Sequence, residues 1–141
     1  MPEPVGVDFS CDVEHLHPYL RERWPQLCDL FQSTTGHDLI LTCTWRSVKE
    51  QKRLYAQGRK TPGKVITWVD GIKKKSNHNH YPARAFDVAV DINQGMAKAV
   101  VSWDDKEYFP LVELCPLLGL VSGGSWKKKD WPHVEMAAGI V

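Results

Sequence analysis

The segment Ala85–Asp91 alternates strictly along its length, and it constrains the fold of this chain more than any other feature. A period of two residues is the period of a β-strand, so alternate side chains point to opposite faces of a sheet. One face carries Phe86, Val88 and Val90. The other face carries Asp87, Ala89 and Asp91. We therefore expect a strand that packs a core on one side and frames a polar cleft on the other.

A long amphipathic helix is predicted before this strand. Its apolar side chains recur every three or four positions, at Val13, Leu16, Leu20, Trp24, Leu27 and Phe31. Pro18 suits the first turn of the helix, and Gly36 ends the segment. Pro25 lies inside the pattern, where the missing amide N–H is expected to kink or divide the helix.

The next elements are a strand and a second helix. Residues 39–45 are rich in strand-forming side chains, and the predicted strand ends beside Arg46. Ser47–Glu50 has the pattern of a capping box, so a helix is expected to begin there. Gly58 is placed to end that helix.

Three further elements complete the prediction and decide the fold class. Residues 65–69 predict another strand, a helix is expected to begin near Trp103, and residues 132–136 predict a closing strand. The strands and helices do not alternate as βαβ units. The predicted fold class is therefore α+β, with a small, mainly antiparallel sheet and flanking helices.

Length and composition limit the organisation and the function. A chain of 141 residues predicts one domain, spanning 1–141. The net charge of +1 argues against a dedicated nucleic-acid-binding protein. The first residues lack the basic and apolar regions of a secretory signal, and no apolar stretch approaches the ~20 residues of a membrane span, so we expect synthesis in the cytoplasm. The cysteines are interpreted as small buried residues rather than disulfide partners: Cys11, Cys28, Cys43 and Cys115.

Three residues of metal-binding type lie at or beside predicted strand edges: His78, Asp87 and His133. Two imidazoles and one carboxylate supply three ligands and leave the fourth position of a tetrahedral zinc ion for water. That is the arrangement of a hydrolytic zinc site. The residue types alone do not select this triple, because 6 histidines and 17 acidic residues allow many others.

Three blocks of sequence around these residues carry a family resemblance. Residues 76–87 resemble the zinc motif S-x-H-N-x-x-P-S-R-A-x-D, although Ala83 replaces the usual serine or glycine. Residues 119–135 resemble the ending G-L-x-x-G-G-x-W…D-x-P-H-x-E, and residues 45–59 resemble R-S-x-x-x-Q…L-Y-x-x-G-R. In this order the blocks resemble the zinc peptidases that include VanY-type carboxypeptidases. The likeness is greatest to the branch of phage endolysins that are L-alanyl-D-glutamate peptidases.

The resemblance implies a hedgehog/DD-peptidase-like fold and a role for each matched residue. One zinc ion would be held by His78, Asp87 and His133. Asp130 matches the general base, which takes a proton from water and passes it to the leaving amine. Arg46 matches the arginine that stabilises the developing oxyanion. Contacts with substrate are implied for Ser76, Gln51 and Trp126.

Two neighbouring residues compete for these roles. His80 lies seven residues before Asp87, the spacing of a shorter form of the motif, and is the second choice as metal ligand. We prefer His78 because the flanking serine and asparagine then match the longer form. Glu135 shares a strand face with His133 and is the second choice as base.

Two lysine triplets, Lys73–Lys75 and Lys127–Lys129, each precede a predicted ligand segment. Charge runs of this kind are usually solvated. Our hypothesis is that these two form a basic rim that attracts the anionic stem peptides of a bacterial envelope.

The function implied by the resemblance is that of a peptidoglycan hydrolase, a phage or prophage endolysin that cuts the L-alanyl-D-glutamate bond during host lysis. Such an antimicrobial enzyme would act on peptidoglycan in the periplasm or cell wall, as a monomer released through a holin pore, with no nucleic acid and no membrane insertion. Two alternatives keep the same zinc site: a D,D- or L,D-carboxypeptidase, and a non-catalytic module that binds cell wall or a protein partner. A nucleic-acid enzyme is a more distant alternative.

Overall fold

Five antiparallel strands form the sheet that organises the molecule. The computed structural model describes residues 3–93 and 96–141. In chain order its elements are α1 (Pro18–Thr35), β1 (Asp38–Cys43), α2 (Val48–Ala56), β2 (Ala85–Asp91), β3 (Val101–Ser102), α3 (Phe109–Leu117), β4 (Leu120–Ser122) and β5 (His133–Met136). Four strands follow the order β1-β2-β5-β4, and β3 pairs with the end of β2. The predicted α+β class with a small antiparallel sheet is confirmed.

The helix α1 is continuous, and the predicted division at Pro25 is wrong. Pro18 occupies the first turn as expected, and Gly36 ends the helix with a left-handed φ of 79°. Leu20, Leu27 and Phe31 are completely buried. Because these residues lie on both sides of the proline, packing holds the two halves in one helix although Pro25 removes a backbone hydrogen bond.

The predicted strand at residues 65–69 is also wrong, since this segment is an irregular loop. Its backbone carbonyl groups accept hydrogen bonds from side chains of the preceding helix region instead of from a neighbouring strand. Gln51 Nε2 donates to the oxygen of Val69 at 2.8 Å, and Arg59 Nη1 donates to the oxygen of Thr67 at 3.0 Å. The apolar side chains of the loop therefore stay exposed: Val65, Ile66 and Trp68.

Ser47 starts α2, with only half of the predicted capping box. Its hydroxyl accepts the Glu50 N–H at 3.0 Å, as expected for an N-cap. The Glu50 carboxylate does not return the bond. It binds Arg53 Nε at 2.5 Å and Nη2 at 2.9 Å, and the Ser47 N–H donates to the oxygen of Asp8 at 2.9 Å.

The two faces of β2 are used as the alternation predicts. Phe86, Val88 and Val90 are completely buried in the core that α1 and α3 cover. Trp24 of α1 packs edge-on against Phe86, with ring centroids 5.3 Å apart. On the opposite face, the strand register pairs Asp87 with Cys43 on one side and with His133 on the other.

Two smaller expectations concern cysteines and membrane spans. All four cysteines are free, and their burial is mixed, since Cys43 and Cys115 are buried, Cys28 is half-buried and Cys11 is exposed. The expectation of burial is thus wrong for Cys11. Among residues 3–93 and 96–141, no helix combines the length and apolar character needed to cross a bilayer.

Candidate metal centre

The predicted metal ligands meet around one carboxylate oxygen. Asp87 Oδ1 lies 3.3 Å from His78 Nε2 and 3.3 Å from His133 Nδ1. The two imidazole rings meet edge to face, with centroids 5.1 Å apart. Both histidines are buried, and Asp87 Oδ1 is buried without a hydrogen-bond partner.

The far nitrogen of each imidazole is held by an oxygen. His78 Nδ1 lies 2.9 Å from the backbone oxygen of Thr44. His133 Nε2 lies 2.7 Å from Glu135 Oε1. Because a carbonyl or carboxylate accepts the proton of that nitrogen, the nitrogen facing Asp87 is the one that can offer its lone pair to a metal ion, which is how proteins orient metal-binding histidines.

These residues fit a zinc ion. Two imidazole nitrogens face one buried carboxylate oxygen that has no hydrogen-bond donor, an arrangement that costs free energy unless a cation joins them. Two histidines and one aspartate are also a ligand set that zinc accepts in hydrolytic sites. Among the described residues, two compact groups of potential ligands share Asp87, and the predicted ligands are divided between them: one group contains Cys43 and His78, the other Asp130 and His133.

The electrostatics of the three residues is dominated by their mutual attraction. Burial lowers the pKa of His78, but the charge of the neighbouring Asp87 carboxylate outweighs burial and raises the pKa to about 10, so a metal ion that binds here must displace a proton. Burial likewise lowers the pKa of His133, whereas the neighbouring Asp87 and Glu135 carboxylates shift it above the ordinary value. Burial raises the pKa of Asp87, whereas the two histidines lower it more, so Asp87 stays ionised.

Asp130 lies at the edge of the cluster, with Oδ2 4.0 Å from His133 Nδ1 and its side chain half-exposed. Its N–H donates to the oxygen of Gly123 at 3.0 Å, which fixes the loop before β5. Burial and the nearby Asp87 carboxylate raise the pKa of Asp130 above its ordinary value. A raised pKa suits a carboxylate that must accept a proton and later release it.

Arg46 follows β1 and reaches the cluster from the side opposite β5. Its Nη2 donates to Asp87 Oδ2 at 3.3 Å, and its Nη1 donates to Gln51 Oε1 at 2.9 Å. Its backbone N–H donates to the oxygen of His78 at 2.9 Å. The guanidinium therefore fixes the second oxygen of Asp87 while still lining the open space above the cluster.

That space is a cavity of about 540 Å³. Its basic wall residues are Arg46, Lys74, Lys75, Lys128 and Lys129. Its carboxylates are Asp87, Asp130 and Glu135. The remaining wall residues are Ile66, Thr67, Trp68, Val69, Ser76, Asn77, His78, Trp126 and His133. One residue of each triplet, Lys73 and Lys127, lies outside this wall.

Of the three predicted substrate-contacting residues, two line the cavity and one does not. Ser76 lines the cavity, and its hydroxyl accepts the His78 N–H at 3.3 Å. Trp126 also lines the cavity, with its ring centroid 4.9 Å from that of His133. Gln51 is completely buried and lies outside the cavity wall, so its position favours a supporting role over contact with substrate.

The two second-choice residues also have different positions. His80 is exposed and does not line the cavity, whereas His78 is buried beside Asp87. Glu135 lines the cavity and binds His133, and burial alone would raise its pKa, but that hydrogen bond and the charge of His133 lower it. Glu135 is therefore placed to orient a metal ligand.

Two residues at the site were missed by sequence reasoning. Cys43 was interpreted as a core residue, yet its Sγ lies 3.8 Å from His78 Nδ1 and 3.7 Å from Arg46 Nη2. The signal for it is the register of β1 on β2, which a single sequence does not give. Trp68 falls in the predicted strand at residues 65–69, and nothing in the local pattern separates an exposed apolar loop from a short core strand.

Known proteins resemble this chain in sequence and in fold. No protein-family model matches the chain. The chain is similar to the peptidoglycan L-alanyl-D-glutamate endopeptidase CwlK of Bacillus subtilis (strain 168), with 33% identity over 127 residues that cover 86% of this chain and 73% of that protein. Its fold is similar to the crystal structure of the Serratia marcescens L-Ala D-Glu endopeptidase ChiX, with a TM-score of 0.56, 21% identity, and coverage of 89% of this chain and 83% of that chain.

Proposed function

The chain belongs to the family of peptidoglycan L-alanyl-D-glutamate endopeptidases, and from this premise we propose that it hydrolyses the bond between L-alanine and D-glutamate in the stem peptide of peptidoglycan. The observation that carries the proposal is the convergence of two histidines and three charged residues on one cavity. These residues are His78, Asp87, His133, Asp130 and Arg46.

We assign the metal to His78, Asp87 and His133. The imidazole nitrogens that face away from Asp87 are hydrogen-bonded to Thr44 and Glu135. These bonds keep both rings in the orientation that metal binding requires. When bound, zinc supplies Lewis acidity, which acidifies water and polarises a carbonyl group. The other steps fall to side chains of the chain itself.

Asp130 serves as the general base in this proposal. Its half-exposed carboxylate stands at the cavity edge and accepts the proton of the attacking water. It then gives the proton to the nitrogen of the leaving D-glutamyl residue, so the peptide C–N bond breaks and a neutral amine leaves. A positioned group of this kind typically contributes 10²- to 10⁴-fold to the rate.

Arg46 stabilises the negative charge that develops on the scissile carbonyl oxygen. Its contacts with Gln51, Asp87 and Cys43 use three of its five N–H donors and hold the guanidinium in place. The remaining donors are available to the oxyanion. Because the arginine is fixed before substrate binds, little reorganisation is needed during the reaction.

Digestion of purified peptidoglycan tests the proposed function. Mass analysis should find free stem peptides that lack L-alanine, and a chelator should abolish their release until zinc is restored. Asp130→Asn should retain bound zinc and lose about 10²- to 10⁴-fold in kcat. Lys127→Ala, an exposed loop residue outside the cavity wall, is the matched control and should keep wild-type activity. Release of D-alanine, or full activity of Asp130→Asn, would overturn the proposal.

Finer proposals rest on the resemblance of residues 76–87 to the endolysin motif. The first is that the chain binds one zinc ion. The second is that residues 1–141 act as a single catalytic domain and as a monomer. The third is that the chain is a phage or prophage lysin, which reaches the cell wall through a holin pore. Metal analysis, light scattering, and lysis of cultures with and without a co-expressed holin test these points. More than one zinc ion per chain, a stable dimer, or holin-independent lysis would contradict them.

A further inference from the structure

The proposed function implies that the cavity also binds a second group of the substrate, which lies next to the scissile bond. In a stem peptide the D-glutamyl residue continues the chain through its side-chain carboxyl. Its α-carboxylate is therefore attached to the carbon that bears the scissile nitrogen, and it must enter the cavity beside the cluster. A carboxylate in that position needs a fixed positive charge, because desolvation of an unpaired anion is expensive.

Five cations line the cavity, and two of them already bind other groups of the chain. Arg46 is held by Asp87 and Gln51. Lys129 Nζ donates to the oxygen of Gly124 at 2.8 Å, which ties it to its own loop.

Lys128 differs from the other lysines because an aromatic ring from another segment holds its ammonium group. Its Nζ lies 3.7 Å from the ring centroid of Trp68, a cation–π contact. Lys128 belongs to the loop that carries Asp130, whereas Trp68 belongs to the 65–69 loop on another part of the cavity wall. The ring satisfies the charge without accepting all three N–H donors, so these remain available to a carboxylate.

Trp68 is itself held on a supported loop. Gln51 Nε2 donates to Thr67 Oγ1 at 3.1 Å and to the oxygen of Val69 at 2.8 Å, on both sides of the tryptophan. Arg59 lies 5.5 Å from the indole and bonds the oxygen of Thr67. An indole that is 61% exposed is thus kept at the cavity wall, where it serves as a platform for the ammonium group.

We propose that Lys128, held against Trp68, forms a carboxylate subsite that selects stem peptides with a free α-carboxylate on the D-glutamyl residue. Lys128 lies two residues before Asp130, the group that gives a proton to the leaving amine in the proposed function, and both residues line the cavity. A lysine restrained in this way loses less side-chain entropy when it binds an anion than a freely moving lysine.

Two synthetic muropeptides test the subsite. They are identical except that the D-glutamyl α-carboxylate of one is an α-carboxamide in the other. Wild-type protein should cleave the carboxylate form with a kcat/KM about tenfold higher, as expected for one charge-assisted hydrogen bond. In Lys128→Met the ratio of the two kcat/KM values should fall to about one, and Lys128→Arg should restore part of the preference. Trp68→Leu should reduce the ratio because the ammonium group loses its platform.

The controls separate this proposal from the proposed function. Lys127→Met should keep the wild-type ratio, because that side chain lies outside the cavity wall. If Lys128→Met lowers both kcat/KM values equally, or if Lys74→Met removes the preference in its place, the subsite is wrong while the peptidase activity stands. If wild-type protein cleaves neither muropeptide, both proposals are wrong.

Discussion

Gly123→Ala is the substitution that most directly tests how the loop before β5 builds the site. A Cβ atom on Gly123 would lie 2.3 Å from the backbone oxygen of Asp130, 3.0 Å from His133 Cβ and 3.1 Å from Asp130 Cβ. The glycine thus lies against the backbone of the proposed base and against a proposed metal ligand. Its backbone does not have a positive φ, so the effect of alanine is steric.

The size of the effect follows from the distance. Real Cβ contacts essentially never fall below 3.0 Å, so the oxygen at 2.3 Å must withdraw by about 0.7 Å, and a backbone atom does this only if the loop moves. Overpacking of this kind lowers the free energy of unfolding by about 1–3 kcal/mol. A misplacement approaching 1 Å at catalytic groups lowers kcat/KM by up to about 10²-fold.

Muropeptide cleavage and urea unfolding measure the two effects separately. Gly124→Ala is the comparison variant, since its Cβ would meet side-chain atoms, at 2.6 Å from Trp131 and 2.8 Å from Val112. It should lose stability with a smaller loss of kcat/KM, because side chains can shift without moving Asp130. If Gly123→Ala cleaves as wild type does, the close approach of the two loop segments does not position the base, and the reasoning is refuted.

Three further predictions concern the ligands and the helix α2. Glu135→Gln should weaken zinc binding by about 10- to 100-fold, because Glu135 orients a ligand histidine; competition with a chromophoric chelator measures the change. His78→Ala should lose zinc and His80→Ala should retain it in metal analysis, and the opposite result would favour the shorter motif. Glu50→Gln should lower stability at neutral pH and much less near pH ~3, as urea unfolding can show. The bond to Arg53 holds the pKa of Glu50 below its ordinary value, so its stabilisation is present above the unfolded-state pKa and is lost as the pH falls through the folded-state pKa; equal losses at both pH values would contradict this.

The sequence predicted the centre of the fold because the relevant signals are local. The alternation of β2 identifies both faces of the strand, and Pro18 and Gly36 mark the ends of α1 without knowledge of the rest of the chain. Pro25 shows the limit of such signals. Its local preference to break a helix was overridden by burial on both sides, which depends on the assembled core.

The walls of the site could not be predicted in the same way. The apolar composition of residues 65–69 fits a core strand and an exposed rim equally well, and side chains from distant positions decide between them. The same holds for Cys43, whose place beside Asp87 follows from strand register. The net charge of +1 does not indicate the cations around one cavity, whereas the two lysine triplets do: Lys74, Lys75, Lys128 and Lys129 line it.

Gln51 explains how the two sides of the cavity are joined. A buried amide is tolerated only when its polar atoms are bonded, and here Oε1 accepts from Arg46 while Nε2 donates to Thr67 and Val69. One helix position thereby fixes both the proposed oxyanion group and the loop that presents Trp68. Arg46 thus contacts Gln51, and Gln51 contacts Val69. The adjacent residue of that loop, Trp68, contacts Lys128, which lies two residues before Asp130. Because the amide is buried outside the cavity wall, its contacts connect Gln51 to the site through the groups that it positions.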